Sequence, residues 1–419
     1  MAKEVIVVGA GFGGLEAARE LAGRSEVRVT IIDQRNHHLF QPLLYQVATA
    51  GLNPADIAVP VRAQFSGAAN VSVRLGRVAA VDLEHKRITL EDGAVLPWDF
   101  LILACGAQHS YFGHPEWEEF APGLKTLEQA TEIRRRILLA FESAENEPDP
   151  ARQRRLLTFV IVGGGPTGVE LAGAIADISR TVLVRDFRQI DPATARVLLV
   201  EAGPRILPAF SEKLSQHATA DLISLGVEVR TSAAVTGIDA AGVTIQGERV
   251  DAGSVFWAAG VQASSLGRSL GVELDRAGRV HVAPDLSIPR SPDAFVIGDM
   301  AHLEEAGYGL IPGLAPAAIQ EGKAAARNVL ATIAGHPRAA FHYRDKGMMA
   351  TIGKHKAIAQ AGKFRLTGYL AWLAWLFIHV LYLIGFRNRI VVFAQWVWSY
   401  LFSKRSARLI TTRDWRLPS

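Results

Sequence analysis

The stretch Val5-Ile-Val-Val-Gly9-Ala-Gly11-Phe-Gly-Gly14 joins a run of apolar residues to a glycine-rich turn. The apolar run predicts a buried β-strand, and the residues after it predict a helix. In this context each spaced glycine has its own role. Gly9 allows a tight turn, Gly11 lets the backbone approach a pyrophosphate, and Gly14 lets the helix pack closely on the sheet. The stretch therefore predicts a dinucleotide-binding site at the start of an α/β domain.

A second stretch, Phe159-Val-Ile-Val-Gly163-Gly-Gly165-Pro-Thr-Gly168, repeats this pattern about 150 residues later. It also follows apolar β-formers and opens a helical pattern. Two such motifs predict an α/β chain with two Rossmann-like domains that hold two dinucleotides. The simplest chemistry between two bound dinucleotides is hydride transfer from a nicotinamide to a flavin, so we expect one FAD-binding and one NAD-binding domain.

An acidic residue follows the second predicted strand of each domain. Asp33 comes 24 residues after the first glycine of its motif, near the spacing expected for a carboxylate that binds ribose hydroxyls. The alternative is a simple turn aspartate. Glu201 comes 38 residues after the first glycine of its motif, which predicts an insertion around residues 179–192. An acid at this position favours NAD over NADP, although Arg205 nearby leaves weak use of NADP open.

A short apolar strand predicted at residues 293–297 runs into Gly298-Asp299. In two-dinucleotide flavoproteins such an aspartate binds the ribityl chain of FAD, whereas Gly-Asp alone is a common turn. Given the N-terminal motif, we assign Asp299 to FAD, which makes the FAD domain discontinuous. Two other apolar runs end in small residues at Gly106 and Gly260, where the chain is expected to pass close to a cofactor.

Composition narrows the function further. The chain of 419 residues has 45 Lys and Arg against 41 Asp and Glu, a net charge of +4 that gives no reason to expect a nucleic-acid partner. Its one cysteine, Cys105, excludes an intrachain dithiol relay, and we interpret it as a small buried residue, not a nucleophile. No metal site is predicted. The first strand begins near residue 4, so we expect no leader and a position on the cytoplasmic side of any membrane.

Two long apolar stretches lie near the C-terminus. Residues 366–386 contain no charged side chain, and residues 390–402 contain only Gln395 and Ser399 as polar residues. The first stretch could span a bilayer, pack as a core helix, or form a hairpin with the second in one leaflet. Tryptophan and tyrosine rings favour the hairpin. The basic residues that follow favour it too, because a span would carry them across the membrane. These basic residues are Lys404, Arg405, Arg408, Arg413 and Arg416.

These features predict four segments. Residues 1–115 and 286–335 form the two parts of the FAD-binding domain, and residues 116–285 form the NAD(H)-binding domain with its flanking segments. Residues 336–419 form a C-terminal domain with amphipathic, membrane-anchoring helices. Within the NAD(H)-binding domain, the pattern predicts a helix over residues 127–145.

Taken together, these features resemble the type II NADH dehydrogenases, also called NADH:quinone oxidoreductases. The matching parts are Asn36-His-His-Leu-Phe-Gln-Pro-Leu-Leu-Tyr-Gln46, the Gly-Gly-Gly-Pro-Thr-Gly-Val-Glu170 block, Gly298-Asp299 and the aromatic C-terminal hairpin. The resemblance covers essentially the whole chain. It implies non-covalent FAD, NADH as substrate, a membrane quinone as acceptor, and electron transfer without proton pumping. It also implies a peripheral, monotopic position on the cytoplasmic face of the cell membrane, and a homodimer is compatible with it.

The family motif Ala-Gln-x-Ala-x-Gln-x-Gly corresponds here to Ala315-Pro-Ala-Ala-Ile-Gln-Glu-Gly322, so Pro316 replaces the first glutamine. The resemblance implies that Gln320 belongs to the quinone site, and the alternative is a well-packed helix under the flavin ring. Glu170 is expected beside the nicotinamide, where it contacts the ribose, relays protons, or is only a helix-start carboxylate. His379, alone in an apolar helix, either faces the quinone or is hydrogen-bonded in packing.

Three other functions stay open at this point. A sulfide:quinone oxidoreductase needs a cysteine pair at the flavin, and a single cysteine argues against it. An NAD(P)H-dependent reductase of a naphthoquinone or another acceptor is disfavoured, though not excluded, by Glu201. A redox-signalling flavoprotein would share both nucleotide sites, and robust quinone-dependent oxidation of NADH would set it aside.

Overall fold

The computed structural model describes residues 1–402 and 407–411. Its longer helices, numbered in chain order, are α1 Phe12–Leu21, α2 Leu127–Glu145, α3 Pro150–Leu156, α4 Pro166–Asp177, α5 Glu212–Ser224, α6 Ala315–Ile333, α7 Gly368–Tyr382 and α8 Phe386–Phe402. Short α-helical turns occupy Leu44–Ala48, Pro54–Ile57, Val61–Gln64 and Trp117–Phe120. Tighter or wider turns of helix occupy Gln41–Leu43, Ile178–Val182, Pro192–Thr194, Ser265–Leu270 and Gly298–Met300.

The strands of the two parallel sheets and of the C-terminal sheet are β1 Lys3–Val8, β2 Val27–Asp33, β3 Val71–Leu75, β4 Phe100–Leu103, β5 Thr158–Val162, β6 Arg196–Val200, β7 Val227–Arg230, β8 Ser254–Trp257, β9 Ser287–Ile288, β10 Ser291–Val296, β11 Met348–Gly353, β12 Lys356–Ala361 and β13 Phe364–Thr367. Two antiparallel meanders comprise Val78–Asp82, Arg87–Leu90 and Val95–Pro97, and Val235–Asp239, Gly242–Ile245 and Glu248–Asp251. Shorter strands occupy His37–Leu39, Ala58–Pro60, Ala107–His109, Val261–Ala263, Val280–His281, Ala301–His302, Glu304–Glu305 and Gly309–Leu310.

The first of two compact units comprises Met1–Leu39, Ala58–Gln108 and Val261–Lys346. Its central sheet has the strand order β9-β10-β4-β1-β2-β3, and every neighbouring pair except β9 with β10 is parallel. β1 therefore lies between β2 and β4, where the order of the strands reverses. In open α/β sheets ligands bind outside the carboxyl ends of the strands at such a point. The first glycine motif lies directly after β1 and so occupies that position.

The apolar residues before the first glycine motif form a central strand because they are buried on both faces of the sheet. Val5, Ile6, Val7 and Val8 are each at most 5% exposed, and β-branched side chains fit a strand that is covered on both faces. Ile6 and Val8 belong to a hydrophobic cluster that also takes in the first meander. Helix α1, from the first segment of this unit, packs against α6, from its last segment.

The second unit comprises Phe40–Ile57, His109–Gly260 and the described part of Gly347–Ser419. Its parallel sheet has the order β7-β6-β5-β8, so β5 lies between β6 and β8 as β1 does between its neighbours. The second glycine motif follows β5 directly. Helix α2 covers the residues that the sequence predicts, Leu127–Glu145, and begins at Thr126, whose side chain accepts a hydrogen bond from the Gln129 N–H at 3.2 Å. The predicted α/β architecture is confirmed.

The C-terminal part of this unit contains an antiparallel sheet, β11 to β13, and the helices α7 and α8. Ala371 and Trp372 of α7 are buried against Ala357 and Ala359 of β12. No helix within residues 1–402 and 407–411 is both long and apolar enough to cross a bilayer. Of the predicted basic residues near the end, four lie outside the described residues: Lys404, Arg405, Arg413 and Arg416. The four predicted segment boundaries stay a prediction.

Candidate functional site

The first glycine motif has the geometry that its three glycines predict. Gly9 has φ +100°, a region that disfavours residues with a side chain. A Cβ atom at position 14 would lie 1.8 Å from the carbonyl oxygen of Gly9, so only glycine permits α1 to start this close to β1. A Cβ atom at position 11 would meet no protein atom within 4 Å. The backbone at Gly11 is thus open to a ligand, and the start of α1 suits the pyrophosphate of a dinucleotide.

Asp33 lies at the carboxyl end of β2, beside the turn formed by this motif. Its Oδ2 atom accepts a hydrogen bond from the Ala10 N–H at 2.6 Å, and Oδ1 accepts one from the Arg35 N–H at 2.7 Å. Burial raises the pKa of this carboxyl, while the two backbone N–H groups oppose the rise. A carboxylate held at this place suits the hydroxyls of a ribose next to the pyrophosphate. The role predicted for Asp33 fits this geometry and stays a prediction.

The second glycine motif repeats this geometry. Gly163 has φ +112°, and a Cβ atom at position 168 would lie 1.9 Å from the carbonyl oxygen of Gly163. A Cβ atom at position 165 would meet no protein atom within 4 Å. Helix α4 begins directly after Gly165 with Pro166, whose missing N–H costs nothing at this position. This motif is therefore equally suited to a dinucleotide.

Glu201 occupies the position of Asp33 despite the longer interval in the sequence. Val162 pairs with Val200 as Val8 pairs with Ile32, so each acid directly follows the residue that pairs with the end of its motif's strand. The Glu201 carboxylate accepts hydrogen bonds from the backbone N–H groups of residues 164 and 203, each at 2.6 Å. The longer interval is taken up by residues 178–195, between α4 and β6, which include the short helical turns Ile178–Val182 and Pro192–Thr194.

Arg205 binds backbone of its own loop in this structure. Its Nη1 and Nη2 atoms donate to the carbonyl oxygens of Phe210 and Pro208, both at 2.8 Å. The guanidinium thus holds its own loop. The predicted role of Glu201 in favouring NAD over NADP stays a prediction.

Asp299 lies in a turn that a second carboxyl stabilises. Gly298 has φ +67°, and its N–H donates to Glu321 Oε2 at 2.5 Å. Glu321 is only 2% exposed, and burial raises its pKa to about 7, assisted by the charge of Asp299. The Gly298 N–H acts in the opposite direction. No sequence motif marks Glu321, because its role depends on α6 packing beside the Gly298-Asp299 turn.

Gln320 binds backbone in this structure. Its Nε2 donates to the carbonyl oxygens of Pro316 and Arg344, both at 3.0 Å, and its Oε1 accepts from the Arg344 N–H at 3.0 Å. The amide therefore ties α6 to the segment around Arg344. Two residues later, a Cβ atom at Gly322 would lie 2.2 Å from the carbonyl oxygen of Gly13, so this glycine permits close packing of α6 on α1. These contacts support the packing alternative, and the predicted contact of Gln320 with quinone stays a prediction.

Cys105 and Gly106 are small residues that follow β4, in the segment that is expected to pass close to a cofactor. Gly106 has φ +65°, and a Cβ atom there would meet no protein atom within 4 Å. Burial raises the pKa of the Cys105 thiol to about 12, so it stays protonated at neutral pH. Its Sγ lies 3.7 Å from the carbonyl oxygen of Val8. Cys105 as a whole is only partly buried, and its interpretation as a non-nucleophilic residue stays a prediction.

Glu170 lines a pocket in the second unit. It lies on α4, which approaches β11 so closely that a Cβ atom at Gly173 would fall 1.7 Å from the carbonyl oxygen of Ile352. This approach brings the Thr351 N–H to 3.4 Å from Glu170 Oε1. The carboxyl is partly exposed to the pocket, yet its surroundings of protein atoms raise its pKa to about 8. At neutral pH Glu170 therefore holds a proton that it can donate.

Aromatic residues form much of the wall of this pocket. Trp372 and Trp375 come from α7, and Trp396 comes from α8. The Trp396 Nε1–H donates to Gln46 Oε1 at 2.8 Å, and Gln46 Nε2 donates to the Tyr45 hydroxyl oxygen at 2.9 Å. Such a pocket suits a flat apolar ring. Tyr45 and Gln46 belong to the segment Asn36–Gln46 that carries the resemblance, but no sequence motif gives either residue a role.

His379 packs within α7. Its Nδ1–H donates to the Trp375 carbonyl oxygen at 2.7 Å, and the two rings stack with their centroids 4.2 Å apart. Burial lowers the pKa of His379 to about 4, so the ring is neutral. These contacts support the packing alternative for His379.

Two glycine motifs, each with its strand, helix and acid, define a pyridine-nucleotide oxidoreductase with two dinucleotide sites. The family model "Pyridine nucleotide-disulphide oxidoreductase" matches residues 3–322, and the model of the NDH2 C-terminal domain matches residues 346–405. A type II NADH:quinone oxidoreductase of Mycobacterium tuberculosis is 46% identical, and the alignment covers 98% of this chain and 90% of that relative. The chain therefore belongs to the type II NADH:quinone oxidoreductase family.

Two more comparisons agree with this assignment. A second type II NADH:quinone oxidoreductase of Mycobacterium tuberculosis is 45% identical, with 98% of this chain and 89% of the relative covered. The solved structure of NDH2 from Plasmodium falciparum in complex with NADH matches with a TM-score of 0.88, covering 98% of this chain and 100% of that chain. The two sequences are 19% identical, so this likeness shows the fold.

Proposed function

We propose that this protein uses bound, non-covalent FAD to oxidise NADH and passes the two electrons to a membrane quinone without pumping protons. Family membership supports the reaction class. Quinone is inferred as the acceptor from the pocket of the second unit, which is lined by the carboxyl of Glu170 and by tryptophan rings. The overall reaction balances as NADH, one proton and quinone giving NAD⁺ and quinol.

The first glycine motif would hold FAD. The open backbone at Gly11 suits its pyrophosphate, Asp33 suits the adenosine ribose, and Asp299 suits the ribityl chain. When bound, the flavin accepts a hydride and returns its electrons to a second substrate. The contribution of the chain is to hold and orient the group: Glu321 fixes the Gly298-Asp299 turn that would carry the ribityl contact.

The second glycine motif would hold NADH. The backbone at Gly165 is open to the pyrophosphate, and Glu201 suits the two free hydroxyls of the adenosine ribose. Binding at fixed backbone positions orients the nicotinamide for hydride transfer, so no strong base is needed there.

Quinone reduction needs protons, and Glu170 can supply one. Its carboxyl, with a pKa raised to about 8, is protonated at neutral pH and lies in the aromatic pocket. Donation from Glu170 to a quinone oxygen would accompany the arrival of electrons, and the carboxylate would then regain its proton from solvent through the open side of the pocket.

Anaerobic stopped-flow spectroscopy tests the proposal. The purified protein is mixed with NADH while flavin absorbance near 450 nm is followed (about where oxidised flavins absorb), and a short-chain benzoquinone is then added. We expect fast bleaching by NADH and fast recovery with quinone. Bleaching without recovery would indicate another acceptor or a signalling role, and absence of any flavin would overturn the assignment of the first motif.

The choice between NADH and NADPH gives one prediction. Glu201→Gln removes the charge that would repel a 2′-phosphate and keeps one acceptor oxygen, so only one of the two N–H groups of residues 164 and 203 stays paired. We expect the preference for NADH over NADPH in kcat/KM to fall roughly tenfold or more, mainly through KM. Glu212→Gln, a change to an exposed carboxylate on α5, is the matched control. An unchanged preference would remove Glu201 from nucleotide selection.

Membrane attachment is also part of the proposal. Helices α7 and α8 expose large apolar side chains, among them Leu370, Phe377, Phe393 and Trp398, each at least 58% exposed. So many exposed apolar groups on neighbouring helices are typical of a membrane or protein interface. We propose that this surface lies in one leaflet at the cytoplasmic face of the cell membrane. A homodimer stays a prediction.

Paired substitution of this surface gives a second prediction. Leu370→Ser with Phe377→Ser removes two apolar groups seven residues apart, on one face of α7. Because burial of each side chain in lipid is worth about 1.5–3 kcal/mol, we expect vesicle binding to weaken at least about tenfold. Sedimentation with vesicles measures it. Leu139→Ser on α2, which is 40% exposed, is the control, and equal loss in both variants would contradict the assignment.

A further inference from the structure

The wall of the aromatic pocket contains a buried hydrogen-bond donor that has no acceptor. Trp375 is 1% exposed, and its Nε1 atom has no hydrogen-bond partner among residues 1–402 and 407–411. Its neighbour Trp396 differs, since the Trp396 Nε1–H donates to Gln46 at 2.8 Å. Buried N–H groups are nearly always paired in folded proteins, because an unpaired one has lost its hydrogen bonds to water. An unpaired donor on a residue that lines the pocket is therefore a candidate contact for a ligand that accepts a hydrogen bond.

The Trp375 ring is held on several sides, so its N–H has a defined direction. His379 stacks on it at 4.2 Å with an interplanar angle of 27°, and the His379 Nδ1–H donates to the Trp375 carbonyl oxygen. The centroids of Trp396 and Tyr45 lie 5.6 Å and 6.3 Å away. A ring fixed in this way loses little conformational entropy when a ligand binds, which favours affinity.

The polar neighbours of Trp375 are already engaged with each other. Gln46 Oε1 accepts from Trp396, and Gln46 Nε2 donates to the Tyr45 hydroxyl oxygen. The matching ligand must be flat enough to lie among aromatic rings and must carry an oxygen acceptor without its own acidic proton. A ring carbonyl, as in a quinone, has this chemistry.

We propose that the Trp375 Nε1–H donates a hydrogen bond to a carbonyl oxygen of the quinone, which makes Trp375 a binding residue for the electron acceptor. This inference rests on the proposed function. It assigns Trp375 to recognition and leaves proton donation to Glu170. Trp375 therefore distinguishes acceptors that carry a ring carbonyl from acceptors that take electrons without one.

Trp375→Phe tests the inference, because it keeps an aromatic ring and removes the donor. The variant is compared with wild type in reduction of a short-chain 1,4-benzoquinone and of ferricyanide, which has no carbonyl. We expect the KM for the quinone to rise about tenfold, with kcat changed much less, and ferricyanide reduction and flavin bleaching by NADH to stay unchanged. A tenfold change corresponds to about 1.4 kcal/mol.

Trp98→Phe is the matched control. Trp98 lies in the first unit, is 4% exposed, and its Nε1 also has no partner among the described residues. Its substitution removes an unpaired indole N–H outside the pocket, so we expect an unchanged KM for the quinone. An unchanged KM in Trp375→Phe, or an equal rise in both variants, would overturn the inference. Failure of the wild-type protein to reduce any quinone would instead overturn the proposed function.

A measurement on the wild-type protein covers the case in which Trp375→Phe does not fold. The indole groups are labelled with ¹⁵N, and the Trp375 resonance is assigned by elimination from single Trp→Phe variants of the seven other tryptophans. The oxidised protein is then titrated with the same benzoquinone without NADH. A hydrogen bond from Trp375 Nε1–H shifts its resonance downfield. A resonance that does not move while quinone binds would contradict the inference.

Discussion

Gly165→Val should leave the protein folded and still able to bind flavin, yet weaken NADH binding by about 100-fold or more. The backbone at this position has φ −72° and ψ 180°, which valine adopts without strain, and a Cβ atom there meets no protein atom within 4 Å. A side chain here would occupy the approach to the start of α4, where a pyrophosphate must contact the backbone. A 100-fold loss corresponds to about 2.7 kcal/mol.

The first glycine motif offers a mirror variant for this prediction. A Cβ atom at position 11 also meets no protein atom within 4 Å, so Gly11→Val should fold but lose FAD. Gly168→Val is the contrasting change, because its Cβ would lie 1.9 Å from the Gly163 carbonyl oxygen, and it should lower the midpoint of thermal unfolding. Flavin content, the midpoint and the KM for NADH are measured for all three. A wild-type KM in Gly165→Val would mean that NADH does not bind at this motif.

Both nucleotide motifs could be predicted from the sequence because their chemistry is local. A glycine after a buried strand is required by backbone dihedrals and by contacts within about ten residues, as at Gly9 and Gly14. The role of Glu201 was harder to predict, because 38 residues separate it from the first glycine of its motif. Its position was still predictable, because a strand that starts beside β5 must end at the same edge of the sheet.

The pocket could not be assembled from the sequence, because its parts meet only in the fold. Gly173 is an inconspicuous residue within a helix until β11 packs against it. The indole N–H of Trp375 points to a ligand only when the structure shows that it is unpaired and that the neighbouring Trp396 N–H already binds Gln46. The same holds for Gln320, whose amide is engaged by the backbone of Arg344, a contact 24 residues away that no helical pattern predicts.

Glu170→Gln should keep both nucleotide sites and lower kcat with quinone by about 100-fold, in the range typical for loss of a general acid. The sign of its pH dependence follows from the pKa of Glu170, raised to about 8 by burial. Below that pH the carboxyl holds its proton and can donate it, whereas above it the donor is lost. In the wild-type protein, kcat with quinone should therefore be high at neutral pH and fall as the pH rises through about 8.

Glutamine resembles the protonated carboxyl in shape and cannot donate a mobile proton, so the alkaline fall should disappear in this variant while flavin bleaching by NADH persists. Steady-state rates are measured from pH 6 to 10, with Glu212→Gln as the control on an exposed helix. If the variant retains the wild-type rate and the alkaline fall, Glu170 has no part in proton transfer. The raised pKa of Glu170 would then be only a consequence of its surroundings where α4 packs against β11. A lost fall with an unchanged NADH half-reaction would instead place the proton step in the pocket of Glu170 and Trp375.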